Sequence, residues 1–145
     1  MRLYLDTTIL AALTFFKDKD AERYLECSKL IKNTKGETVT FVISFYSIHE
    51  LFLLPFEYED ERTARKIGLA ILKEVLDIEN IEITGLLSRE KRIIYQESFH
   101  ISDRTDIPHA ISAHVENCDY IVTYDSHFDQ ISHKIKVSKP NELTI

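Results

Sequence analysis

The sequence predicts an α/β domain in which helices cover both faces of a central parallel sheet. Three observations carry that prediction. Five β-branched or apolar runs, at 2–5, 38–44, 81–84, 120–124 and 135–137, read as strands. Most of the stretches between them have the length and periodicity of the crossover helices that parallel strands require. The strands are also apolar along most of their length rather than alternating, the pattern of a sheet buried on both sides.

Arg2 to Leu5 is a short apolar strand that stops at Asp6. Thr7 and Thr8 are suited to open the helical run Ile9-Leu10-Ala11-Ala12-Leu13, so Asp6 falls at a strand-to-helix junction, where it also reads as an N-cap. Residues 20–32 form an amphipathic pattern with Tyr24, Leu25 and Ile31 on one stripe, closed by Gly36. The second strand, 38–44, is rich in β-branched residues and leads into a helix that Pro55 stops. That helix carries Glu50 among Ile48, Leu51, Phe52, Leu53 and Leu54. A carboxylate in such company needs a partner or a path to water.

Residues 59–77 predict a long helix whose apolar stripe is wide, with Leu69 and Leu76 outside the main face, which leaves a second face for a partner chain. A third strand at 81–84 and a helix at 86–99 follow. Asp106 then stands at the start of a helix over 107–116. The fourth strand, Tyr120 to Tyr124, runs to Asp125, a short helix covers 127–131, and the last strand is 135–137. Ligands bind beyond the carboxyl ends of strands in such sheets, where the strand order reverses. Asp6 and Asp125 converge there if the first and fourth strands are neighbours.

A chain of 145 residues supports one domain, 1–145, with a single core. Its hydrophobic share of 44% and charged share of 29% exclude a disordered chain. No apolar run approaches the roughly 20 residues that span a bilayer, and the first residues lack a signal-peptide core. Cys27 and Cys118 are too few for a disulfide framework, so a reduced cytoplasmic home is expected. The formal net charge of −6 weighs mildly against a nucleic-acid partner. Bound cations would offset part of it, and basic residues cluster locally at Arg62/Arg65/Lys66 and Arg89/Lys91/Arg92, although solvated helix faces explain any one cluster as well.

Four acids have few other reasons to sit where they do: Asp6, Glu50, Asp106 and Asp125. Carboxylates that repel one another across a small cavity are relieved by hard divalent cations such as Mg²⁺ or Mn²⁺. Two such ions about 4 Å apart can activate water and stabilise a leaving oxygen in phosphodiester hydrolysis. Rival chemistries lack their residues. His49-Glu50 begins like a zinc-protease motif, but Leu53 fills the second histidine position. His109 and His114 do not share a helical face, and there is no Gly-rich phosphate loop or nucleophile elbow.

From about 1 to 140 the chain resembles the PIN-domain family of metal-dependent ribonucleases, and within it the VapC-type toxins of toxin–antitoxin pairs. The resemblance lies in an ordered set of segments: LDTTIL, SIHEL, DIPHA and VTYDSHF. It implies a three-layer α/β/α PIN-like domain with a parallel sheet in the order 3-2-1-4-5. It also implies that Asp6, Glu50, Asp106 and Asp125 bind one or two Mg²⁺ or Mn²⁺ ions and position the attacking water. Thr7 or Thr8, and Thr123, match supporting hydroxyl positions. The chain departs from the pattern at His127, where many relatives carry a further acid. A histidine there can ligate metal, contact phosphate or weaken a second metal site, and the last is the expectation.

His109, on the Asp106 helix, is read first as a packed, satisfied histidine and second as a partner for a carboxylate or the substrate. Asp103 and Asp129 are read as a cap and a solvated residue. The implied function is a cytoplasmic endoribonuclease acting on RNA, a homodimer restrained by a small antitoxin protein. That partner would lie near Leu13, Phe15, Phe16, Phe52 and Leu54, unless these simply complete the core. Two alternatives stay open: a PIN fold without nuclease action serving as a binding or assembly module, and an RNA-processing nuclease without antitoxin.

Overall fold

The computed structural model describes residues 1–34 and 38–143; Gly36, expected to close the second helix, lies outside the described residues. The chain runs β1 (Arg2–Leu5), α1 (Thr7–Leu13), α2 (Ala21–Asn33), β2 (Thr40–Ser44), α3 (Phe45–Leu53), α4 (Glu61–Leu76), β3 (Ile81–Thr84), α5 (Arg89–Gln96), α6 (Ile107–Val115), β4 (Tyr120–Val122) and β5 (Lys136–Ser138). Short 3-10 turns follow α3, β4 and β5. All strand pairs are parallel, in the order β3-β2-β1-β4-β5. This is the three-layer α/β/α architecture and strand order expected. It places β1 beside β4, with Leu5 opposite Val122.

Alternation along the strands divides the core in two. Leu3, Leu5, Phe41 and Ile43 face one side, where they meet Ile9 and Leu10 of α1, Leu30 of α2, Leu51 of α3 and Ile71 and Val75 of α4. Tyr4, Val42 and Ile121 face the other, against Ala110 and Ile111 of α6 and Phe128 and Ile131 of the turn after β4. Each fully buried aliphatic side chain contributes roughly 1.5–3 kcal/mol. Both faces are covered over β1, β2 and β4, which is why those strands carry few polar residues, while the edge strand β3 leaves Glu82 and Ile83 exposed.

Helix ends follow local chemistry. Asp20, Ser44, Asp60 and Ser88 cap α2, α3, α4 and α5 through their side chains. Pro55 lacks an N–H to continue α3, and the chain tightens into a 3-10 turn over Leu54–Glu57. Gly68 of α4 lies against α3 so closely that an added Cβ would sit 2.9 Å from the Phe52 carbonyl oxygen.

Some boundaries move from the sequence reading. The fourth strand stops at Val122, not Tyr124. Thr123 N–H still reaches Ser138 O, but its hydroxyl then accepts the Asp125 N–H at 2.9 Å and turns the chain out of the sheet. β2 begins at Thr40 rather than 38, and β5 is shifted by one residue. α5 spans only Arg89–Gln96, because Ser88 caps it late and Glu97 ends it early. Leu69 and Leu76 are exposed on α4, as its wide stripe suggested. Leu13, Phe15, Phe16 and Leu54 are partly buried and pack on the core.

Candidate functional site

Asp6 and Asp125 stand just past the ends of β1 and β4, at the reversal of strand order, while Glu50 lies on α3 and Asp106 at the start of α6. Asp6 follows β1 directly and is almost fully buried. Its Oδ2 accepts from the Thr8 hydroxyl at 2.7 Å, the Thr8 N–H at 3.2 Å and the Thr123 hydroxyl at 2.8 Å. Asp6 is thus both an N-cap, as its position allowed, and a member of a hydroxyl-lined pocket. Thr8 also accepts the Tyr124 N–H, at 3.1 Å. Two threonines thereby lock the β1 and β4 exits together, and both orient the same carboxylate.

Glu50 reaches the pocket from α3. Thr7 donates to its Oε2, and His109 Nε2 lies 3.0 Å from its Oε1. Burial alone would raise the Glu50 carboxyl, but the hydrogen bond and charge of His109, with help from Thr7, hold it below the usual range. His109 is itself buried on α6, with Nδ1 2.8 Å from Tyr4 Oη. Tyr4 donates to Ser44 Oγ at 2.7 Å, so its oxygen is free to accept from Nδ1–H while Nε2–H points to Glu50. In the imidazolium form both ring nitrogens donate, one to Tyr4 and one to Glu50. Burial opposes the charge on His109, yet Glu50 outweighs it and holds the imidazole above its ordinary pKa. The histidine is packed and satisfied, and it also serves a carboxylate: the two readings describe one residue.

Asp106 holds the N-cap position of α6 but makes no capping hydrogen bond with its side chain. Burial, and then the charges of Asp125, Asp6 and Asp103, push its carboxyl up to about 6. The charges acting on Asp106 are thus those of Asp125, Asp6 and Asp103, while Glu50 is engaged by Thr7 and His109. Asp125 caps the turn after β4, its Oδ1 taking the His127 N–H at 2.8 Å.

His127 folds back over the acids. Its Nδ1 lies 3.2 Å from Asp125 Oδ1 and 3.4 Å from Asp106 Oδ2, without alignment for a hydrogen bond to either. His127 Nδ1 and Asp106 Oδ2 are the buried side-chain nitrogen and oxygen atoms that lack a hydrogen-bond partner among the described residues. Ligand atoms of Asp103, Asp106 and His127 all lie within 4.8 Å of one another.

The tightest grouping of potential ligands among the described residues is therefore Asp103, Asp106 and His127, at one side of the wider set of acids. The sequence reading had left Asp103 out. Asp103 does cap its turn, its Oδ1 accepting from the Thr105 N–H and hydroxyl, each at 2.8 Å. Its spacing of three from Asp106 was visible, but the reading of Asp103 as a cap explained it without a site. Tyr4 and Ser44 were also missed, since a strand residue gives no sign of what stands opposite. Asp129 is exposed, as expected. The donor set of carboxylates with one imidazole, and two orphaned buried atoms facing each other, fits a divalent cation.

Comparison with solved structures finds the same fold in VapBC and VapC proteins. A chain of VapBC2 from Rickettsia felis, solved bound to a promoter DNA fragment, matches with a TM-score of 0.63 and 20% identity over 96% of this chain and 98% of that one. VapBC-1 from nontypeable Haemophilus influenzae matches at 0.60 and 18%, over 98% and 100%. VapC20 from Mycobacterium tuberculosis, described as a sarcin–ricin loop cleaving toxin, matches at 0.62 and 12%, over 92% and 95%. The chain thus has the VapC-type PIN-domain fold. No protein-family model and no curated protein matches the sequence.

Proposed function

We propose that this protein is a Mg²⁺- or Mn²⁺-dependent endoribonuclease and the toxin of a toxin–antitoxin pair, restrained in the cytoplasm by a small antitoxin protein. The observation that carries the reading is the meeting of Asp103, Asp106 and His127, whose ligand atoms lie within 4.8 Å of one another, with Asp106 Oδ2 and His127 Nδ1 buried and unpartnered. The charges of Asp125, Asp6 and Asp103 act on Asp106 in the same direction, raising its carboxyl, at the carboxyl ends of β1 and β4. Asp6, Glu50, Asp106 and Asp125 would hold the cation, with His127 and Asp103 at its edge. When bound, a divalent ion supplies the positive charge that lowers the pKa of water and stabilises a phosphodiester leaving oxygen.

The chain's own residues do the rest. Thr8 and Thr123 fix the rotamer of Asp6. Thr7 and His109 fix Glu50 and keep it ionised, so that it is available to ligand or water. A cleft of about 260 Å³ opens beside Asp125, with Ser126, Lys139 and Glu142 on its walls. Lys139 offers that cleft a cation for RNA phosphates. The exposed Leu69 and Leu76 of α4 support a homodimer contact there. No helix among the described residues is long and apolar enough to cross a membrane.

The deciding experiment assays purified protein on structured RNA with Mg²⁺ or Mn²⁺, beside Asp6→Asn and beside EDTA. The parent should cut, and both controls should not. Cleavage that survives EDTA or the Asp6→Asn change would remove the metal mechanism. Mn²⁺ should also raise the melting temperature of the parent, through binding to the folded state, and leave that of Asp6→Asn and Asp125→Asn unmoved.

A further inference from the structure

We infer that His127 is a nitrogen ligand to the divalent cation, acting with Asp106 and Asp103, and that it biases the site toward a transition-metal ion such as Mn²⁺ over Mg²⁺. The inference rests on the metal-dependent reading above and deepens it. Three observations meet at this histidine. Its Nδ1 is turned inward and shielded from water, although nearly half of the side chain is exposed. The atom has no hydrogen-bond partner, and neither does Asp106 Oδ2, which lies 3.4 Å away. Asp103 completes a group of three potential ligand atoms within 4.8 Å of one another.

Asp125 Oδ1 and Asp106 Oδ2 lie 3.2 and 3.4 Å from Nδ1, within ion-pair reach, yet Nδ1 and Asp106 Oδ2 make no hydrogen bond, and buried atoms left in that state are costly. A cation would relieve both. The lone pair of a neutral imidazole and the lone pairs of two carboxylates would then share one charge. The ring is also placed for this role by its own backbone: the His127 N–H donates to Asp125 Oδ1 at 2.8 Å, which fixes where the side chain starts. Asp103 is held from the other side, its Oδ1 occupied by Thr105 and its Oδ2 taking neither of those bonds. Asp106, free of any capping bond, joins them from the start of α6.

Imidazole suits transition metals, whereas Mg²⁺ favours an all-oxygen shell and gives up its waters reluctantly. A nitrogen in the ligand set therefore shifts the ratio of affinities. Substituting His127 should change which ion is preferred without dismantling the site, because the other acids remain and the side chain is not core.

The test reads the bound metal directly. Mn²⁺ and Mg²⁺ are titrated by calorimetry into the parent, His127→Gln and His127→Asp, and the Mn²⁺ complexes are examined by pulsed electron paramagnetic resonance for coupling to ¹⁴N. The parent should show that coupling and His127→Gln should lose it. In His127→Asp the Mn²⁺ to Mg²⁺ affinity ratio should fall about tenfold, the usual scale for altering a metal's surroundings. A Mn²⁺ complex whose nitrogen coupling persists in His127→Gln, or is absent from the parent, overturns the role of His127 alone. Failure of both ions to bind the parent overturns the metal-dependent reading together with it.

Discussion

His109 Nε2 lies 3.0 Å from Glu50 Oε1, and that contact ties α6 to α3 at the carboxyl end of the sheet. The same ring contacts Tyr4 of β1 through Nδ1. One side chain thus links a central strand and two helices that belong to opposite layers.

Replacing His109 by Gln should lower the melting temperature, at a cost of about 2–3 kcal/mol, because Glu50 and Tyr4 both lose a buried hydrogen-bond partner. The effect depends on pH with a definite sign. The histidine is held above its ordinary 6.5 by Glu50, against its burial. Its contribution is complete below that value and fades as pH rises through the higher folded pKa. Glu50, held low, loses its share as pH falls below the ordinary 4.5. The gap in melting temperature between parent and His109→Gln should be widest between those values and narrow on the alkaline side. A gap of constant size from pH 5 to 9 would show that the ring is only filler.

Asp106→Asn should stabilise the metal-free protein at neutral pH. The carboxyl is raised from 3.8 to about 6 by burial and by Asp125, Asp6 and Asp103. Between those values the native state binds more protons than the unfolded one, so this group lowers stability as pH rises through the window. With solvent screening allowed for, the gain at pH 7.5 in EDTA should be of order 1 kcal/mol, vanishing near pH 4. Thermal melts of parent and variant at both pH values measure it. Saturating Mn²⁺ should reverse the order, since the parent alone then gains fully from binding.

Thr123→Val keeps the shape of a buried side chain but removes its hydroxyl. Asp6 would lose a 2.8 Å donor, and the Asp125 N–H would lose its 2.9 Å acceptor. Stability should fall by about 1 kcal/mol. Mn²⁺ affinity should drop by at least about tenfold, because two acids lose their orientation at once. Unchanged affinity by calorimetry would mean that Asp6 and Asp125 are held by other contacts.

Gly68→Ala tests how closely α3 and α4 approach. Helix propensity favours Ala by about 1 kcal/mol. The new Cβ, however, would lie 2.8 Å from Phe52 Cδ2 and 2.9 Å from the Phe52 carbonyl oxygen. The ring can move, but the backbone oxygen moves only with its helix. Overpacking of about 1–3 kcal/mol should win, and the melting temperature should fall. A higher melting temperature would show that the two helices separate at little cost.

The element order and the parallel sheet were legible because apolar periodicity is local and survives in one dimension. Strand runs such as Phe41-Val-Ile43 and helical stripes such as Ala64, Ile67 and Ile71 announce themselves without knowledge of their neighbours. Asp6 and Asp125 were legible for a related reason: each stands just beyond a run too apolar to hold it. Glu50 was legible as an acid among oily neighbours, and its partners turned out to be Thr7 and His109. The less legible features were contacts between distant segments. That Asp103 would turn toward His127, that Tyr4 would meet His109 from the strand, and that the fourth strand would break at Thr123 depend on the packing of α6 and the loop after β4 on the sheet.

By itself the sequence determined the layers, the direction of the strands and which charged residues had no ordinary place on the surface. Tertiary structure alone decided which oxygen faces which nitrogen: Asp106 bare at its cap, His127 turned inward without a partner, and the His109 ring clamped between Tyr4 and Glu50. Burial patterns arise from the free energy of removing each side chain from water, which a residue and its near neighbours largely express. Hydrogen bonds and charge pairs act over about 3–4 Å, so they exist only once folding has brought remote parts of the chain within that reach.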